Sequence, residues 1–521
     1  DTSKTVKERA KTKVFGAVYS HTAIILLLIL LQIGIMVLTF TYLGNYSTYM
    51  NGVISLLSFI TAIYIFNEKG NPAFKMTWIL FVFLVPVVGV GFYLFTKAGI
   101  GTKYLGARLE KLRVETEPYM QQNEYVVHAM KGGRVANANL SHFLYNQVGF
   151  PTYGNSQAQY FPLGDDKFPV LIEELNKAEK FIFMEYFIIG EGYVWDTVLE
   201  VLRKKVKEGV EVRLMYDGTC SISLLPYEYP KQLREYGIQC KEFGPIVPIL
   251  STSQNNRDHR KICVIDGKVA FTGGVNLADE YINEEIRFGH WKDTGIRLYG
   301  EGVWNLTVMF LQMWSIITGV RTHIPAYSPY VFHTEEFESD GFVQPYGDSP
   351  MDNETVGENV YLNIISQAKK YVFICTPYLI IDNEMMMALC LAAKKGVDVR
   401  IITPGIPDKK MVFLLTQSYY KQLIEAGVRV YEYTPGFVHA KEFISDDCRA
   451  TVGTVNLDFR SLYLHFECGA YIYKNDVVTD IENDYQKTLE KCQKITEEDC
   501  KKYPWHKKLI GQILRLLAPL M

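Results

Sequence analysis

One short pattern occurs twice in this 521-residue chain. His259, Lys261 and Asp266 satisfy H-x-K-x-x-x-x-D, and so do His439, Lys441 and Asp446. The agreement continues downstream: Gly273 and Asn276 follow the first copy at the spacings at which Gly453 and Asn456 follow the second. A chance match does not carry its trailing glycine and asparagine with it, so the chain is constrained to two related halves. Imidazole, ammonium and carboxamide all suit a phosphate, and each half supplies one of each. The duplication predicts a single site built from both halves, acting on a phosphoryl group through a histidine.

The surroundings of the motifs repeat as well. Residues 180–189 read as an apolar strand, 195–208 as a helix and 209–217 (GVEVRLMYD) as a second strand. Residues 371–380, 384–395 and 396–404 (GVDVRIITP) give the same order. A further helix follows in each half, over 227–236 and 410–426. Strand-like runs flank each motif, at 262–265 and 269–272, then at 443–445 and 450–453. Near-continuous apolar strands alternating with helices predict an α/β fold with a buried, parallel or mixed sheet in each half. The polar, acidic stretch 325–340 is predicted to link the halves.

In a strand, residues i and i+2 face one side, so H-x-K presents imidazole and ammonium together. The ammonium neutralises phosphate oxygens, and Asn276 and Asn456 add amide donors. The pairs Gly273–Gly274 and Gly453–Thr454 let the backbone approach closely. One histidine attacking phosphorus splits a hard displacement into two easier ones. The other protonates the leaving alkoxide and later deprotonates the incoming hydroxyl. No metal or cofactor is required. Each imidazole needs an orienting acid on its second nitrogen. Asp293 (in HWKDTGIRL) and Glu467 (in HFECGAYI), at corresponding places in the halves, are the candidates. Asp266 and Asp446 are expected to brace strand and turn.

The beginning of the chain is of another kind. Residues 22–43 are almost wholly apolar and uncharged, close to the roughly 20 residues that cross a bilayer. Residues 53–66 are a second, weaker candidate, and 76–96 a third, with Pro86, Gly89 and Gly91 inside it. Lys4, Lys7, Arg9, Lys11 and Lys13 favour a cytoplasmic N-terminus. Three spans would then put the rest outside, although Lys97, Lys103, Arg108, Lys111 and Arg113 favour the inside. Either there are two spans plus a re-entrant segment, or the basic stretch is an exception; the face of the catalytic region stays open. The net charge of −3 gives no field of the kind a general nucleic-acid binder carries. The nine cysteines, all after residue 219 and without C-x-x-C spacing, read as unpaired thiols. A start at Asp1 rather than Met suggests a trimmed N-terminus.

The segments HRKICVIDGKVAFTGGVNLADEY and HAKEFISDDCRATVGTVNLDFRS resemble the phospholipase D superfamily, and within it the bacterial cardiolipin synthases. So do NPAFKMTWILFVFLVPVVGVGFYL, GVEVRLMYD, WKDTGIRLYGEGV, TPYLIID and the terminal ILRLLAPLM, over roughly residues 20 to 521. His465, in LHFE, departs from the asparagine expected there, and the first apolar run is an addition to the commoner two-segment membrane region. The resemblance implies two phospholipase D-like α/β repeats packed as a pseudo-two-fold pair behind an N-terminal transmembrane region. The expected division is a membrane region 1–100, a basic connecting region 101–155, half 1 at 156–326, a linker 327–341, half 2 at 342–504 and an amphipathic tail 505–521.

The implied reaction moves a phosphatidyl group between two phosphatidylglycerol molecules, giving cardiolipin and glycerol. By analogy His259 is the nucleophile, His439 the acid and base, and Lys261, Lys441, Asn276 and Asn456 hold the phosphate. The implied setting is a multi-pass protein of the bacterial cell membrane with a phospholipid substrate, no nucleic acid and no cofactor; homo-oligomerisation stays open. Lipid hydrolysis and phosphatidylserine synthesis share the same site, a superfamily nuclease is a more distant alternative, and a non-catalytic scaffold a third class. In the tail, Trp505, Leu509, Ile510, Ile513, Leu516 and Leu517 alternate with His506, Lys507, Lys508 and Arg515. That pattern suits a helix at the headgroup level or one packed on the catalytic domain.

Overall fold

The computed structural model describes residue 34 and residues 47–132, 138–226, 228–245, 255–331, 336–337, 341–352 and 354–520. The expected span 22–43 lies outside the described residues except for residue 34, as do 332–335 and 338–340 of the expected linker. The chain divides into two compact units. One holds the described residues up to Lys103 and the chain end from Leu516. The other holds Tyr104–Pro245 and Asn255–Arg515.

The first unit is helical, with helices Ser47–Asn67, Pro72–Leu84 and Pro86–Ala98. Asn71 caps the second, its side chain accepting from Ala73 N at 2.9 Å, with Pro72 in the first turn where no N–H is needed. The expected third span, 76–96, is not one helix. Pro86 has no N–H to continue the ladder and forces its predecessor out of the helical region, so Val85 sits at φ −135°, ψ 70°. The chain doubles back there. Trp78 meets Tyr93 and Phe92 with ring centroids 5.4 and 5.8 Å apart. A Cβ on Gly89 would lie 2.7 Å from Val82 Cα, so only glycine permits this approach. Ile65, Val82 and Tyr93 form the small buried core. Helix Ser47–Asn67 leaves Val53, Leu56, Leu57, Phe59, Ile60 and Ile63 exposed. Among the described residues, no helix is long and apolar enough to cross a membrane.

The second unit contains the repeat. Its first sheet uses β1 (Ser156–Phe161), β2 (Phe181–Tyr186), β3 (Glu211–Asp217), β4 (Gln239–Phe243), β5 (Ile262–Ile265), β6 (Val269–Gly273) and, after the short β7 (His290–Lys292), β8 (Gly295–Gly300). Its order is β1-β8-β6-β5-β2-β3-β4. The second sheet uses β9 (Phe342–Asp348), β10 (Tyr371–Cys375), β11 (Asp398–Pro404), β12 (Arg429–Tyr433), β14 (Glu442–Ser445), β15 (Arg449–Gly453), β16 (Glu467–Tyr473) and β17 (Cys492–Ile495), with β13 (Gly436–Val438) outside it. Read from β9 its order is β9-β16-β15-β14-β10-β11-β12-β17, the first sheet's order with one strand added at the edge. In each sheet the three strands of the α/β run are parallel and the motif strands antiparallel. The central strands β2 and β10 are buried along their whole length, as their largely apolar sequences demand, with Glu185 the one charged residue among them.

Helix Val303–Thr318 is buried over nearly its full length, and its Trp304, Phe310 and Met313 join residues of both sheets in one core. Two short backbone ladders also tie the halves. β7 pairs in parallel with β13, and Asp258 bridges to Phe466. The start of the expected linker is folded: Tyr327 packs on Phe181 and Phe183, and its hydroxyl accepts from Arg213 at 2.8 Å and donates to Glu211 at 3.0 Å. All nine cysteines are unpaired thiols, most of them buried.

Candidate active site

Each cross-half ladder ends at a motif histidine. His259 N donates to Phe466 O at 2.9 Å, one residue before Glu467, and His439 N donates to Lys292 O at 2.7 Å, one residue before Asp293. The pairing of side chains is therefore exchanged. His259 Nδ1 lies 2.9 Å from both carboxylate oxygens of Glu467, in the other half. His439 Nδ1 lies 2.6 Å from Asp293 Oδ2. With Nδ1–H donating to a carboxylate, Nε2 of each ring keeps its lone pair.

H-x-K sits just ahead of β5 and β14 rather than on them, in extended backbone that keeps the i, i+2 relation. The intervening Arg260 goes elsewhere and pairs with Glu185 at 2.6 Å. Lys261 and Lys441 are buried, and each ammonium donates to the carbonyl of its own motif histidine. Burial lowers Lys261 to about 8 and Lys441 to about 7 despite the nearby acids. Asp293 and Glu467 both act on each lysine, and Lys261 lowers both Lys441 and His439. The two half-sites thus form one electrostatic cluster. Burial also holds both imidazoles well below the ordinary range, Glu467 and Asp293 pulling the other way. Burial would raise the two carboxyls, but the adjacent imidazoles and, for Asp293, Lys441 carry them below it. Just below neutral pH the empty site has neutral imidazoles, ionised acids and two ammoniums, Lys441 being the first to discharge as pH rises.

The asparagines are buried beside this cluster. Asn276 accepts from Ile188 N and donates to the Tyr281 hydroxyl, both at 2.9 Å, and Asn456 donates to Ser461 Oγ at 3.0 Å. Each amide nitrogen has a second N–H for a ligand. Asp266 and Asp446, which share the motif with the catalytic residues, sit at the turns and brace them. Asp266 (φ 52°) accepts from the backbone N–H of Glu179, Lys180 and Phe181 at 2.7–2.8 Å, and Asp446 (φ 53°) from those of Lys369, Lys370 and Tyr371 at 2.8–3.1 Å. The glycines permit close strand contact: a Cβ on Gly273 would lie 2.5 Å from Thr294 O, one on Gly453 2.5 Å from Cys468 O.

Sequence reasoning placed Thr454 beside Gly453 only as a point of close backbone approach and missed its hydroxyl, which donates to Glu467 Oε2. Its counterpart Gly274 must lack a side chain, because a Cβ there would lie 2.0 Å from Asp293 Oδ1. The unequal pairs, Gly-Gly with Asp and Gly-Thr with Glu, were the available signal. Aromatic walls were missed too: Phe187 stands 4.8 Å from the His259 ring, and Tyr281 and Trp291 each 5.4 Å from His439.

Residues 171–288 and 361–489 match the family described as cardiolipin synthase, PLD-like domain, and residues 56–97 the one described as phospholipase D-nuclease N-terminal. A cardiolipin synthase of Alkalihalophilus pseudofirmus is 36% identical over 92% of this chain and 96% of its own. One of Geobacillus thermodenitrificans is 32% identical over 96% and 100%. An uncharacterized protein of Streptococcus mutans serotype c is 49% identical over 88% and 99%. Among solved structures, a phosphatidylserine synthase of Haemophilus influenzae superposes with a TM-score of 0.55 at 16% identity, covering 73% of this chain and 96% of that one, a likeness of fold.

Proposed function

The chain belongs to the cardiolipin synthase family of phospholipase D-like proteins, and we propose that it transfers a phosphatidyl group from one phosphatidylglycerol to a glycerol hydroxyl of another. The exchanged pairing of two imidazoles with two carboxylates, beside two buried ammoniums, carries this reading. His259 Nε2 attacks phosphorus, and the bond to the departing glycerol oxygen breaks as His439 delivers its proton there. The hydroxyl of the second lipid then attacks the phosphatidyl-histidine, its proton goes to His439 Nε2, and the P–N bond breaks. Lys261, Lys441, Asn276 and Asn456 neutralise the non-bridging oxygens as charge builds on them.

The division of labour follows from the acids. Asp293 Oδ2 lies 2.6 Å from His439 Nδ1 and takes no other hydrogen bond among the described residues, whereas Glu467, 2.9 Å from His259, also accepts from the Thr454 hydroxyl. His439 is the easier ring to protonate once a phosphodiester anion has entered, which suits the acid; His259 stays neutral, which suits the nucleophile.

A diacyl substrate calls for a protein at the bilayer. The exposed apolar face of Ser47–Asn67 and the hairpin broken at Pro86 suit two spans with a re-entrant segment. Helix Trp505–Leu517 packs through Gly511 on Ser418 and through Arg515 on the Tyr419 ring. It leaves Trp505, Leu509 and Ile513 exposed beside Lys507 and Lys508, as an interfacial helix does. The test is mass spectrometry of lipids after incubating the purified protein with phosphatidylglycerol alone. Cardiolipin with equimolar glycerol supports transfer; phosphatidate in its place means hydrolysis.

A further inference from the structure

We propose that His259, His465 and Glu467 form a binding site for a divalent transition metal of the zinc class, and that its occupancy switches the enzyme off. One ligand atom from each residue lies within 4.8 Å of the other two. His465, absorbed by no part of the mechanism, has a side chain only 10% exposed. Its Nδ1 has no hydrogen-bond partner among the described residues and points toward Glu467 Oε1 at 3.7 Å, too far for a hydrogen bond. Glu467 Oε1 is also 2.9 Å from His259 Nδ1.

Two imidazoles and a carboxylate are the donor set of open zinc sites, with water as the fourth ligand. Magnesium and calcium prefer all-oxygen shells and are selected against. Ligand atoms about 2.0–2.2 Å from a tetrahedral zinc stand roughly 3.3–3.5 Å apart, and the 2.9 and 3.7 Å separations bracket that span. Thr454, donating to Glu467 Oε2, holds the carboxylate from behind. Lys261, whose charge acts on His259, and Arg460, whose Nε lies 3.3 Å from His465 Nε2, oppose the cation. The site is therefore weaker than a structural zinc site.

Metal on Nδ1 of His259 takes the place of the proton shared with Glu467. That proton moves to Nε2, and the lone pair that would attack phosphorus is gone. His465 makes the same exchange, its Nε2 gaining the proton and giving up Arg460. No proton is released and nothing is oxidised; the nucleophile is held in the wrong tautomer. The inhibitory half of the proposal rests on the phosphatidyl-transfer reading, and the binding half does not.

The test uses full-length, tag-free, chelator-treated protein in phosphatidylglycerol-containing nanodiscs, comparing the parent with His465→Asn and His465→Gln. The parent should be inhibited at zinc concentrations at least tenfold lower than either variant, and not by equal magnesium. Cobalt(II) should give the visible absorption of a tetrahedral site in the parent and lose it in both variants, so that ions bound elsewhere cancel. Equal zinc inhibition in all three proteins, or equal cobalt spectra, overturns the site. A cobalt contrast in protein that turns over no phosphatidylglycerol keeps the site and rejects the proposed reaction.

Discussion

His259 shares its Nδ1 proton with Glu467, 208 positions further along the chain and in the opposite half of the fold. His439 and Asp293 repeat the arrangement in reverse. The two halves are thus not two sites placed side by side. Each supplies an imidazole that is in register only because the other supplies its carboxylate and the backbone strand leading into it.

Glu467→Gln should keep the fold and lower phosphatidyl transfer by roughly 10²–10⁴-fold, because an amide no longer selects the Nδ1–H tautomer or supports charge on the ring. Asp293→Asn should cost a similar amount, but at a different step. If His439 is the acid, Asp293→Asn slows departure of the glycerol, and His259 adducts should be scarce. His439→Ala and His259→Ala should each abolish turnover; only the former keeps the nucleophile, so any lipid adduct, scarce and slow to form without the acid, should appear there alone. Intact-mass measurement after rapid quenching reads both outcomes; an adduct in His259→Ala would reverse the assignment.

Gly274→Ala places a methyl group where Asp293 Oδ1 now lies, 2.0 Å from the new carbon. The carboxylate must withdraw from His439, and misplacement of about an ångström costs on the order of 100-fold in rate. The paired change Thr454→Gly removes a hydroxyl from Glu467 and from the Cys468 backbone but drives nothing into the carboxylate, and should cost less. Rates for the two variants at matched folding, judged by circular dichroism, check the contrast.

The lysines give the pH dependence a definite sign. Burial brings Lys441 to about 7 and Lys261 to about 8, so both ammoniums discharge in the empty site as pH rises through those values. The substrate phosphodiester stays anionic throughout. KM for phosphatidylglycerol should climb by about tenfold between pH 7 and 9, one unit of pKa corresponding to about 1.4 kcal/mol. Lys441→Met should raise KM at pH 7 and flatten the rise. An unfolded lysine keeps its proton to about pH 10.4, so over this range the unfolded chain binds more protons and these two groups make the folded enzyme more stable as pH rises. Melting temperature and affinity should move in opposite directions; a KM that falls with pH contradicts the assignment.

The strands and helices of the repeat were legible because their apolar runs have a period and a partner copy: β5 is the run 262–265, and helix Lys410–Glu425 departs from expectation by one residue. Helix Val303–Thr318 was not, since a helix apolar on every side lacks the periodicity that announces one. Apolar content alone runs 76–96 together through Pro86, whereas the helix breaks at Val85 and Gly89 packs back against Val82. Asp293 and Glu467 could be picked out by their matching places, but exchange between halves is a property of the backbone ladders that no local pattern carries.

Asp266 separates motif membership from chemistry. Its carboxylate accepts three backbone N–H groups at the entry to β2 while its own backbone is left-handed at φ 52°. Asp266→Ala strips those donors of their partner and puts a methyl-bearing residue where aspartate or asparagine is better tolerated. The amides are near enough to solvent for water to replace part of the loss, so the cost should be roughly 1–3 kcal/mol of stability. Asp266→Asn keeps one acceptor and should fall between. Because the carboxylate reaches neither imidazole nor ammonium, turnover per folded molecule, assayed well below the melting temperature, should stay close to that of the parent. Asp446→Ala should behave alike through Lys369, Lys370 and Tyr371. Full thermal stability with lost turnover in either variant would make these aspartates part of the chemistry after all.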